Sequence, residues 1–164
     1  MNLRILAAFA LCLAPACGSS NPAELTDQGS KALNSGDYEG AAKSYEKALT
    51  VLGSDTSNPE WLRAKLGSVK AHAHTDATKA KSDFLALAAA SPSKVTDREY
   101  SAVAGALGEA KHFKEAIEVL EAGMKSNPES VALKGLRDDL GKRAESSGDS
   151  GALDALKGLG YGGK

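Results

Sequence analysis

Apolar residues fall at helical spacing along most of the chain. The pattern is clearest where Tyr100, Val103, Ala104 and Leu107 run at i, i+3, i+4 and i+7, and where Phe113, Ala116, Ile117, Leu120 and Met124 resume the period after a break. Further upstream, Leu25, Gly29, Ala32 and Leu33 lead to Gly36-Asp37, followed by Tyr38, Ala41, Ala42, Tyr45, Ala48, Leu49 and Leu52. Glycine can end a helix in the left-handed conformation and aspartate can cap the next, so this stretch predicts two helices joined by a tight turn. A second hairpin is predicted from Leu62, Leu66, Val69 and Ala73, a cap at Asp76, then Ala77, Ala80, Phe84, Leu87 and Ala88. A fourth, short in its second helix, reads Leu133, Leu136, Leu140 and Ala144, then Gly148-Asp149, Leu153 and Leu156. With 29 Ala and 17 Gly against eight aromatics, the chain is rich in small residues and helix formers and poor in strand formers, so the expected class is all-α.

The prolines punctuate this pattern. Pro22, Pro59, Pro92 and Pro128 are spaced by 37, 33 and 36 residues, a repeat signature. Each follows Asn or Ser, a pairing that suits a cap followed by the first helical position, so a helix is expected to start at each proline.

These units resemble the tetratricopeptide repeat (TPR), a paired-helix repeat of 34 residues. In the first unit Leu25, Gly29 and Ala32 match the first-helix pattern, and Ala41, Tyr45 and Ala48 the second. In the second unit Leu66-Gly67 match with one residue inserted after Trp61, followed by Ala80, Phe84, Leu87 and Pro92. The third matches at Tyr100, Val103, Ala104, Leu107, Ala116, Leu120, Gly123 and Pro128, while the fourth is degenerate. The resemblance implies a TPR-like α-solenoid of about three and a half hairpins over residues 22–164. Small residues at Gly29, Gly67, Ala104, Ala41, Ala80 and Ala116 would let helix axes approach closely. The charged fourth unit, from Lys134 to Arg143, reads as a cap whose outer side meets water.

The first sixteen residues stand apart. Arg4 precedes nine apolar residues, Ile5 to Leu13, too few to span a bilayer and typical of an export signal. Leu13-Ala14-Pro15-Ala16-Cys17 resembles a bacterial lipobox, which implies cleavage after residue 16 and a lipid on Cys17, with residues 17–21 as a short tether. Gly18 after the Cys resembles outer-membrane sorting, which would place the domain on that membrane facing the periplasm. The alternative is a plain secreted protein whose single Cys17 stays unpaired.

A formal charge of −1 excludes a nucleic-acid binder working by bulk charge. Catalytic signatures are weak. His72 and His74 are two apart, about 200° around a helix, and do not easily share a metal. They read as solvated, as does His112 at a turn. Asp138-Asp139 face different directions, and Gly158, Gly160 and Gly162 have no flanking strand and helix to form a phosphate loop. Trp61 reads as hairpin packing. No enzyme activity and no cofactor are expected.

The family resemblance implies an assembly scaffold that binds a protein or peptide, as in lipoproteins that help build β-barrel assembly complexes or pilus secretins. Carried over by position, the groove would be lined by Thr26, Ser30, Leu33 and Asn34, then Ala64, Ser68, Ala71 and His72, then Arg98, Ser101, Gly105 and Glu109. These are mostly small and uncharged, so binding is expected to depend on shape and vary little with salt. The subclass that grips acidic chaperone tails has Lys and Asn where Thr26 and Ser30 stand, so that clamp is not expected. Two alternatives are a periplasmic small-ligand or metal carrier using the His72/Trp61 region, and a non-catalytic subunit of an envelope complex.

Overall fold

The computed structural model describes residues 21–162, so the expected export signal, Cys17 and most of the expected tether lie outside the described residues. Among these residues the chain is all-helical: α1 (Pro22–Asn34), α2 (Tyr38–Leu52), α3 (Pro59–Thr75), α4 (Ala77–Ala90), α5 (Asp97–Glu109), α6 (Phe113–Ser126), α7 (Val131–Ser147) and α8 (Ser150–Gly158). None of these helices is long and apolar enough to cross a membrane.

Local chemistry accounts for most of the ends. Asn21 and Asn58 each cap a helix whose first residue is proline, their side chains accepting from the amides of Ala23 and Glu60 at 3.0 Å. Gly36 and Gly148 take positive φ, and Asp37, Asp76 and Asp149 accept the amides of Gly40, Lys79 and Ala152. Pro92 and Pro128 depart from expectation, because they lie past helix ends instead of starting helices. The amides of Ser91 and Asn127 donate back to the carbonyls of Leu87 and Gly123, closing α4 and α6. The following helices start later, α5 behind a Thr96–Glu99 capping box and α7 behind Ser130.

Consecutive helices pair, α1 with α2, α3 with α4, α5 with α6 and α7 with α8, and α2 also packs broadly on α3. The first helices of the pairs lean on one another in series, α1 on α3, α3 on α5 and α5 on α7, while α4 meets α6 and α6 meets α8. The core is unevenly divided. A larger cluster runs from Val69 through Phe84, Leu107 and Leu120 to Leu156; a smaller one joins α1, α2 and α3 through Leu25, Tyr45 and five alanines. Tyr45 sits between two glycines: a Cβ on Gly29 would lie 2.9 Å from its ring and one on Gly67 2.3 Å. Ala41, Ala80, Ala104 and Ala116 are completely buried, as close approach of helix axes requires.

The face of α7 expected to meet water is partly covered by the chain's own end. The Tyr161 ring lies against Gly141 and its hydroxyl donates to Glu145 Oε1 at 2.8 Å, raising the phenol's pKa, while Arg137 Nη1 donates to the Leu159 carbonyl at 3.2 Å.

Candidate functional site

The first helices leave a cleft of about 360 Å³ where the end of α1, the start of α2, α3 and α5 meet. Its floor is the small stripe Ala102, Gly105 and Ala106 of α5; Leu33, Tyr38, Lys70, His74, Ser101 and Glu109 form the walls. A second cleft of about 210 Å³ adjoins it, sharing Lys70 and Ala102 and bordered by Leu66, Arg98, Glu99 and Val103.

One wall is a stacked pair. The Tyr38 and His74 rings lie 3.7 Å apart and nearly parallel, at 2°. Burial of the His74 ring lowers its pKa below 6.5; Glu109 pulls it back up and His112 pushes it further down. His74 therefore stacks mainly as neutral imidazole at neutral pH.

Ser101 is the anomaly. Several other helical hydroxyls bond back to a carbonyl four residues earlier: Thr26 to Pro22 at 2.8 Å, Ser30 to Thr26 at 3.0 Å, Ser44 to Gly40 at 2.9 Å and Ser146 to Lys142 at 2.8 Å. The Ser101 hydroxyl is buried beside the cleft with no partner, a state that costs about 1–3 kcal/mol.

The residues expected to line a groove separate into two groups. Leu33, Ser101, Gly105 and Glu109 border the larger cleft and Arg98 the smaller, while Asn34 is exposed at the end of α1. Thr26, Ala64, Ser68, Ala71 and His72 are buried and line no open surface, a correction to the expected groove. Ser30 is half-buried, its Oγ 3.1 Å from the Tyr45 hydroxyl. On α3 the reason is rotation. Gly67 must face the Tyr45 ring, which turns Ala64, Ser68 and Ala71 inward and brings Leu66, Lys70 and His74 to the clefts. The two stripes differ by two residues, about 200° on a helix.

His72 is also not solvated: the buried Ser68 Oγ lies 3.3 Å from its Nδ1, and the exposed Glu46 reaches over from α2 to place Oε1 3.5 Å from its Nε2. Trp61 Nε1 donates to the Gly53 carbonyl at 3.3 Å, tying the preceding loop to α3. No cluster of three or more His, Cys, Asp or Glu suited to a metal occurs among the described residues. Lys70 and the Tyr38–His74 pair are what residue-by-residue reading missed. The i, i+4 spacing of Leu66, Lys70 and His74 was available as a signal, whereas the stacking joins residues 36 positions apart with no local signature.

Compared with known proteins, the chain finds no matching family model, no similar curated protein and no similar solved structure.

Proposed function

We propose that this protein is a non-catalytic, TPR-like scaffold of the bacterial envelope, held by a lipid on Cys17, that binds a segment of a partner protein along the α3/α5 cleft. The observation that carries the binding half is the cleft itself: a floor of small residues, an aromatic wall and an unpartnered buried hydroxyl on the surface where the first helices lean on one another. Outer-membrane placement facing the periplasm rests on the lipobox-like Leu13 to Cys17 and on Gly18.

Each half has its own test. Cys17→Ser should shift the protein from the membrane to the soluble fraction or block its processing; an unmodified Cys17 at the mature N-terminus by mass spectrometry overturns the anchor. For binding, Gly105→Trp fills the cleft, and because a Cβ at Gly105 meets nothing within 4 Å, the fold should survive. A photo-crosslinker placed in cells at Ala102 should give adducts that Gly105→Trp removes. Adducts that persist in the folded variant refute the cleft as the binding surface.

A second reading has one observation in its favour: about 360 Å³ bordered by a stacked Tyr38–His74 wall is also within the size range of a small-molecule site. A small-ligand carrier of this kind would give no protein adducts at Ala102 and would instead co-purify with its ligand, detectable by native mass spectrometry.

A further inference from the structure

Building on the cleft as a binding surface, we infer that its occupant is an acidic stretch of the partner polypeptide, whose side-chain carboxylates are met by Lys70, Arg98 and the Ser101 hydroxyl.

The charges along the cleft point this way. Lys70 borders both clefts and Arg98 the smaller, and neither side chain makes an ion pair or hydrogen bond among the described residues, whereas on the same helix as Lys70 Lys65 pairs with Asp83 and Arg63 with Asp27 and Glu60. The acids at the same end are already engaged. Glu99 Oε2 accepts from the Thr96 amide and hydroxyl at 2.8 and 2.6 Å, and Asp97 Oδ2 accepts from Ser130 Oγ at 2.6 Å. Two uncommitted cations at separate points of one channel match successive acidic side chains better than a single terminal carboxylate. Ser101 borders the larger cleft with Lys70, and a turn about its side-chain bond would let its unpartnered hydroxyl donate to an arriving oxygen. Ala102, Gly105 and Ala106 place almost no side chain on the floor, so a polypeptide backbone can come close. Glu109 at the far end sets the polarity, with the acidic residues of the segment toward Arg98.

The occupant also changes the expected response to salt. A groove through Ser68 would be mostly uncharged and vary little with ionic strength; a cleft that recruits Lys70 together with Arg98 should be salt-sensitive.

The test is fluorescence anisotropy with a fluorescein-labelled, C-terminally amidated peptide of alternating Ala and Glu. The matching Ala–Gln peptide, amidated in one arm and with a free terminal carboxylate in the other, serves as comparison. The acidic peptide should bind, more weakly at high salt, and the neutral amidated peptide should not. Lys70→Gln with Arg98→Gln should weaken binding by about tenfold or more, as loss of two charge-assisted contacts requires. Ser101→Ala should weaken it about threefold to tenfold while leaving the melting temperature unchanged or raised, because no internal bond is lost. Equal binding of acidic and neutral amidated peptides, or undiminished binding by the folded Gln variants, overturns the inference. Binding of the free-carboxylate peptide alone overturns it in favour of a chain terminus. If the acidic peptide fails while Gly105→Trp still removes adducts in cells, the binding surface stands and only its chemistry is wrong.

Discussion

At the scale of single residues, glycines and one ring decide how closely the first two hairpins approach. Gly67→Ala places a methyl 2.3 Å from the ring of a tyrosine that is itself buried between α1 and α3, so neither side can yield. It should cost about 1–3 kcal/mol in urea denaturation. Gly135→Ala, at an exposed position of α7 where a Cβ meets nothing within 4 Å, should instead stabilise by about 0.5–1 kcal/mol. His74 predicts a pH response. Burial holds its pKa below 6.5, so the folded state disfavours the imidazolium and the unfolded chain takes up the proton first. The stability this supplies is complete above pH 6.5 and is lost as pH falls through the folded-state pKa. Thermal melts from neutral to mildly acidic pH should show a shallower decline for His74→Phe, which keeps the stack on Tyr38 and removes the titration. Parallel declines would mean that other groups set the slope.

At the scale of elements, the caps are unequal. α5 begins with a complete capping box, whereas α6 begins at His112 with no side-chain bond to its first turn. Thr96→Ala should therefore cost about 1 kcal/mol, and His112→Asp should stabilise by about 0.5–1 kcal/mol, measured by denaturant midpoint. Helix positions were legible in the sequence because three of the four hairpin turns carry their own punctuation, Gly36-Asp37, Asp76 and Gly148-Asp149, and the third turn is marked by the break in the apolar period before Phe113. The prolines misled at Pro92 and Pro128 because an Asn-Pro or Ser-Pro pair serves equally to close one helix or open another, and only the backbone bonds decide. On α5, Ser101, Gly105 and Glu109, the positions carried over from the resemblance, lie beside the cleft. The corresponding positions on α3 do not, since its rotation is set by Tyr45 on a different helix and a two-residue error exchanges its faces.

At the scale of the whole molecule, no hairpin buries its apolar face alone, so stability should depend on neighbours. Cutting after Asn127 removes α7 and α8 and with them the buried Leu133, Leu140 and Leu156, each worth about 1.5–3 kcal/mol. The truncated chain should stay helical by circular dichroism but melt at lower temperature and with less cooperativity. An unchanged melt would mean that the last pair does not act as a cap.

The uneven division of the core has a mechanical side. The smaller cluster is mostly alanine, joins the larger one through α3, and belongs to the hairpin nearest the N-terminus. A pull applied at Asn21 would reach that hairpin first, where packing is broad but made mostly by alanine methyls. Peeling Pro22–Leu52 from α3 would release roughly 100 Å of extended chain. The larger core, and the α5 floor of the cleft with it, would stay folded, while Leu33 and Tyr38 would leave with the first pair, so tension at that end would break the cleft's aromatic wall before it disturbed the floor.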